Sequence, residues 1–234
     1  PGGAKENILQ KTGCTYRDVL DEGRDNKKRG QQSFKSEHAP GKPKILGAPT
    51  WGANGLLSRV GISLLQPLVD AGFTVTVRPH PQSRSVEPEM LRKIETHFAD
   101  APNFSWNHAT SSLSAMLESD VLVSDLSGIV FDYACILEKP VVTVVMDVAL
   151  RGMEANDLPY SAWEFTKLPE LGASILPGNI VALPEVIASF PDPETFAAKM
   201  RLLRDESLYN FRKSGKIAAE QVLQIRKEIL DKVE

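Results

Sequence analysis

The chain has 234 residues, of which 42% are hydrophobic and 24% charged, with a formal net charge of -3. This is the composition of a soluble globular protein with room for one large domain, or one domain with appended segments, and it gives no pull toward nucleic acid. No run is apolar enough to span a bilayer and no signal peptide opens the chain, so the expected location is cytoplasmic.

The opening, PGGAKENILQ, lacks a Met and reads as a cut edge. Cys14 and Cys135 lie far apart with no CxxC spacing, and Cys135 sits in an apolar segment, so a buried free thiol in a reducing compartment is expected there. Gly23 to Lys44 is polar, carries seven Lys or Arg against two acids and lacks periodicity. It reads as a solvated basic tether or loop, with an anionic membrane face as the other partner open to it.

From Lys44 the pattern becomes regular. KILGAPT reads as a strand running into a loop, and Leu56 to Ala71 as a helix with Leu57, Val60, Leu64, Leu65, Leu68 and Val69 at helical spacing. Pro67 is expected to kink that helix, and Gly72 to stop it. FTVTVRPHP is a β-branched strand, Glu87 to Ala99 a helix, NFSWN a weak strand, and SLSAMLE a short helix capped by Ser111 or Ser112. DVLVS is a strand, Gly128 to Leu137 a helix, and PVVTVVM a strand apolar on both faces. ASIL adds one more strand, NIVALPEVIASF a short helix, and two helices follow from Pro193, split near Asp205 to Leu208. The alternation predicts an α/β fold with a Rossmann-like, doubly wound, mostly parallel sheet and C-terminal helices.

In such a sheet ligands bind beyond the carboxyl ends of the strands, which brings three loops together. The first, APTWGANG, has no GxGxxG or P-loop spacing, and its glycines fit a plain turn or a close approach by ligand. The second, VRPHP, sets Arg78 and His80 two apart at a strand end, on one face, between two prolines. A cation and an imidazole held there suit a diphosphate and the charge of a departing group. The third holds Ser124, Asp125, Ser127 and Gly128 at the start of a helix, an arrangement that fits either an anion site or a helix capped by Asp125. Asp132 on that helix is a carboxylate among apolar neighbours and needs a partner, with Arg78 or backbone amides as the choices. No HExxH, Cys/His cluster or Gly-x-Ser-x-Gly elbow points to a metal or a hydrolase triad, so no cofactor is expected. His97, His108 and the three tryptophans read as surface, capping or packing residues.

Taken together, ILGAPTW, VRPHP and SDVLVSDLSGIVFDYACILEKPVV resemble the CDP-glycerol:glycerophosphotransferase family, teichoic-acid primases and polymerases of GT-B fold. KTGCTYRDVL is similar to the segment that closes the family's N-terminal domain. The resemblance implies that residues 1–43 are a remnant of that domain plus a basic linker, and that residues 44–234 are the donor-binding C-terminal half. It implies a transferase taking a CDP-activated alcohol such as CDP-glycerol for cell-wall or capsule polymer synthesis, membrane-associated at most peripherally. The polymer or lipid-linked acceptor would come through the N-terminal half. Arg78 and His80 would act on the donor diphosphate as the catalytic pair. Thr50, Ser124, Asp125, Ser127 and the Gly128 amide would form the diphosphate-binding wall, supported by Asp132. The family's usual Tyr and second Ser are Leu126 and Gly128 here, and the Arg that often follows Ala-Pro-Thr-Trp is Gly52. These departures leave the donor alcohol open. A nucleotide-sugar transferase or epimerase, and a non-catalytic nucleotide- or membrane-binding module, remain the alternative readings.

Overall fold

A computed structural model of the protein describes residues 10–33, 41–146 and 163–231. Among these, six short strands form one sheet: β1 Lys44–Gly47, β2 Thr74–Val77, β3 Phe104–Trp106, β4 Val121–Ser124, β5 Val141–Val144 and β6 Gly172–Ile175. Their order is β3-β2-β1-β4-β5-β6 and every neighbouring pair is parallel. Chain order therefore reverses between β1 and β4, which is the topological switch point of a doubly wound sheet.

Side chains alternate along the strands, so the sheet feeds two cores. Ile45, Val121 and Val123 face one cluster with Leu64, Leu65 and Leu68 of α2 (Leu56–Asp70). Leu46 and Leu122 face the other, with Met116 of α5 (Leu113–Glu118), Val130 of α6 (Gly128–Phe131) and Met200 of α9 (Pro193–Ser207). The remaining helices are α1 Thr15–Ser33, α3 Ser83–Val86, α4 Pro88–His97, α7 Trp163–Lys167, α8 Leu183–Ala188 and α10 Ser214–Leu230. None of the described helices is long and apolar enough to cross a membrane.

Three local expectations change. Helix α2 is distorted at Val60 (φ -139°, ψ 15°), not at Pro67, which sits in its last turn where little helix follows it. The segment after Gly128 is α-helical only to Phe131 and then widens into a π-helical turn over Asp132–Ile136. The basic stretch from Gly23 is not all tether: α1 runs through it to Ser33, while residues 34–40 of the tether lie outside the described residues.

Ionic contacts, which apolar periodicity does not reveal, hold α1 against residues 44–234. Leu20 is buried in the second core, contributing roughly 1.5–3 kcal/mol. Beside it, buried Arg24 donates to the Ile136 carbonyl at 2.6 Å and to Glu138 at 2.7 Å, and pairs with Asp21 at 2.5 Å. Asp21 in turn receives Arg212 Nε at 2.6 Å, and Glu138 also receives Arg201 at 2.9 Å and Arg204 at 3.0 Å. A Cβ at Gly23 would lie 2.6 Å from a Leu113 methyl, so a larger residue there would have to displace that side-chain tip.

Candidate functional site

The loop after β1 and the loop after β4 meet at the switch point through one carboxylate. Asp125, buried at the end of β4, accepts from the Thr50 amide (2.8 Å), the Thr50 hydroxyl (2.7 Å) and the Leu56 amide (3.1 Å). Asp125 thus serves the first turn of α2 and neither caps α6 nor leaves its carboxylate free for a ligand, the two readings open to it in the sequence. The reason is geometric: Leu56 opens α2 with an unpaired amide, and its N-cap Gly55 has no side chain to offer. A second carboxylate grips the same loop from its other side. Glu87, between α3 and α4, accepts from the Gly52 amide at 2.9 Å and from the Ser58 hydroxyl. Burial pushes the Glu87 carboxyl up, but bonds from Ser58, Gly52 and Ser83 outweigh it and leave the pKa below the ordinary carboxylate value. Gly52 takes φ +98°, a left-handed conformation that suits glycine.

The loop so fixed presents Trp51 to His80. The rings stack at 5.9 Å between centroids and 26° between planes. His80 Nδ1 accepts from the Gln82 amide at 3.2 Å, so a neutral ring carries its proton on Nε2, the nitrogen away from the backbone. Arg78 turns elsewhere. Its guanidinium donates to Asn107 Oδ1 (2.6 Å), the Ala109 carbonyl (2.7 Å) and the Thr110 carbonyl (3.1 Å). Desolvation lowers its pKa from the ordinary arginine value. Two residues apart at one strand end, the pair was expected to share a face, yet each engages a different loop. Arg78 braces the turn after β3 and His80 the turn after β1.

The opposite wall begins at α6. Ser127 is its N-cap residue (φ -136°, ψ 146°) and makes no side-chain cap bond, and among the described residues no side chain occupies the first amides of the helix. Gly128 is exposed, with nothing within 4 Å of where a Cβ would stand. Ser124 is different: fully buried, it donates its hydroxyl to the Ala48 carbonyl at 2.7 Å and ties β4 to β1. Asp132 finds its partner in Arg17 of α1, whose Nε donates at 3.0 Å. Neither Arg78 nor backbone amides supply that bond. Burial still raises the Asp132 pKa above the ordinary value, the Arg17 contact offsetting only part of the cost.

The sequence-derived candidates therefore divide. Thr50, Asp125, Ser127 and Gly128 gather at the switch point, with His80 linked to them through Trp51. Ser124 and Asp132 lie behind the wall, as ties to β1 and to α1. Glu87 and Trp51 complete the first loop and were not singled out as site residues; only the proximity of Glu87 to VRPHP hinted at the former. Among the described residues no group of three or more His, Cys, Asp or Glu could hold a metal ion.

The sequence model of one family, CDP-Glycerol:Poly(glycerophosphate) glycerophosphotransferase, matches residues 3–161. No curated protein matches the chain significantly. Among solved structures, the wall teichoic acid polymerase TagF, in a substituted form soaked with CDPG, is similar at TM-score 0.55 and 19% identity, over 99% of this chain and 53% of that one. The UDP-GlcNAc 2-epimerase of Neisseria meningitidis bound to UDP-GlcNAc reaches TM-score 0.55 at 17% identity, over 91% of this chain and 54% of that one. Its Methanocaldococcus jannaschii counterpart reaches 0.53 at 16%, over 97% and 56%. The chain spans about half the length of these proteins, and the likeness shows a shared GT-B-like, Rossmann-type half.

Proposed function

The chain belongs to the CDP-glycerol:poly(glycerophosphate) glycerophosphotransferase family, and we propose from that premise that it is the donor-binding half of a transferase taking a CDP-linked alcohol. The observation that carries this reading is the meeting of the loops after β1 and β4 at the switch point, where such sheets form a binding crevice. One wall is the loop clamped by Asp125 and Glu87 with His80 against Trp51; the other is the uncapped start of α6 at Ser127 and Gly128. A diphosphate seated there would receive the Gly128 and Ile129 amides and the Ser127 hydroxyl on one side and His80 Nε2–H on the other.

In the reaction an acceptor hydroxyl oxygen bonds to the outer phosphorus of the donor. The bond from that phosphorus to the bridging oxygen breaks, and CMP leaves with the electron pair. Hydrogen bonds from His80 and the α6 amides become stronger as charge collects on the departing phosphate, which is the condition for catalysis. Arg78 would act at one remove, by holding the turn 107–110. The acceptor, and the base that takes its proton, would come from the other half of the parent protein.

Calorimetry of CDP, CMP and UDP against the wild-type chain and His80→Ala tests the reading. CDP should bind, and His80→Ala should weaken it about tenfold, the worth of one charge-assisted hydrogen bond. Absence of CDP and CMP binding at millimolar ligand would sink the proposal. A preference for UDP would turn it toward a nucleotide-sugar enzyme, the reading that the epimerase-like fold also supports.

A further inference from the structure

A cavity of about 340 Å³ opens between the segment that leads into α1 and the turn that joins α9 to α10. It is separate from the crevice, for none of its lining residues belongs to the loops after β1, β2 or β4. Two cations, Lys11 and Arg17, line it and no carboxylate does. Lys11 Nζ stands 4.7 Å from the centre of the Tyr209 ring, and Asn210 donates to the Lys11 carbonyl at 2.6 Å, so the two walls are tied together. Arg17 gives its Nε to Asp132. Its two terminal nitrogens have no partner among the described residues, and the Asp132 contact holds the guanidinium in a fixed direction.

We infer that this cavity binds a phosphodiester unit of a polyol-phosphate chain, away from the end that reacts, an inference that rests on the transferase reading above. Lys11 and the terminal nitrogens of Arg17, which Asp132 engages only through Nε, offer donors to an anion, and the planar fork of Arg17 suits phosphate oxygens. The hydroxyls of Ser207 and Tyr209 can pair with alcohol groups, and Leu208 and Phe211 offer apolar surface to the carbon backbone. The volume is in the range that holds a small organic molecule, more than a bare ion needs.

The chain carries its own reporter. Cys14 is exposed and lines the cavity, whereas the chain's second cysteine, Cys135, is buried, with its thiol pushed up to about 11 by burial. Iodoacetamide should therefore modify Cys14 alone, and mass spectrometry gives the rate. Glycerophosphoglycerol is expected to slow that modification about fivefold or more, by occupying the cavity. Lys11→Ala, compared with and without ligand, should remove the protection while circular dichroism stays unchanged. Tyr209→Phe, which keeps the ring and removes the hydroxyl, should weaken it. Equal protection by inorganic phosphate would overturn the polyol assignment, and protection by CDP would overturn the separation from the crevice. No protection by any of the three would overturn the site. The calorimetry of CDP does not depend on Cys14, so failure of the cavity proposal and failure of the transferase reading are told apart.

Discussion

Asp125 shows how much one side chain can organise. Its two oxygens take three donors from two elements that lie 69 and 75 residues away in the chain. Asp125→Ala would leave the Thr50 and Leu56 amides without their acceptor, costing about 3 kcal/mol of stability, readable as a lower urea midpoint. Asp125→Asn, which retains one good acceptor, should lose less. CDP affinity should fall with Asp125→Ala even where the chain is fully folded, because the loop bearing Trp51 is no longer fixed.

Glu87 adds a pH dependence with a definite sign. Its folded pKa lies below the ordinary value of 4.5, since bonds from Ser58, Gly52 and Ser83 outweigh the effect of burial. The stability it supplies is therefore complete above that value and is lost as pH falls through the lower folded pKa. The Gly52 amide proton, followed by NMR, should shift over that acid window in wild type. In Glu87→Gln the step should be absent. Neither carboxylate's role was legible in the sequence. Asp125 was visible in SDLSG as a capping or anion-site residue, but its donors were not, and Glu87 lay inside what read as an ordinary helix start. Hydrogen bonds across 29 or more residues leave no periodic trace.

At the scale of elements, the strands and helices from β1 onward were legible because apolar spacing reports burial directly. Helix α1 was not. Its buried positions include Asp21 and Arg24, residue types that normally mark solvent, and their partners Glu138 and Arg212 come from two distant places in the chain. Glu138 occupies a left-handed conformation (φ 59°), unusual for a residue with a side chain and retained because three arginines converge on it. Glu138→Ala should lower the unfolding free energy by about 3–5 kcal/mol, since Arg24 and Arg204 would remain buried without their shared acceptor. Hydrogen exchange should then accelerate first in α1. The π-helical turn over Asp132–Ile136 was equally hidden, as a single added residue per turn hardly disturbs an apolar pattern.

For the whole molecule, the doubly wound architecture followed from alternation alone, and the switch point from that architecture. What the sequence left open was which side chains face the crevice. Of the residues named in advance, Thr50, Asp125, Ser127 and Gly128 assemble there, His80 joins through Trp51, and Arg78, Ser124 and Asp132 serve as ties around it. The same sheet has a kinetic consequence. Every neighbouring strand pair is parallel, so none is joined by a hairpin, and the central pairing of Ile45 with Val121 closes a loop through two intervening strands and their helices. A refolding chain must meet that entropic cost before the middle of the sheet returns any contact energy. Refolding should accordingly be limited by the search for the β1–β4 pairing, the same junction on which the crevice is built.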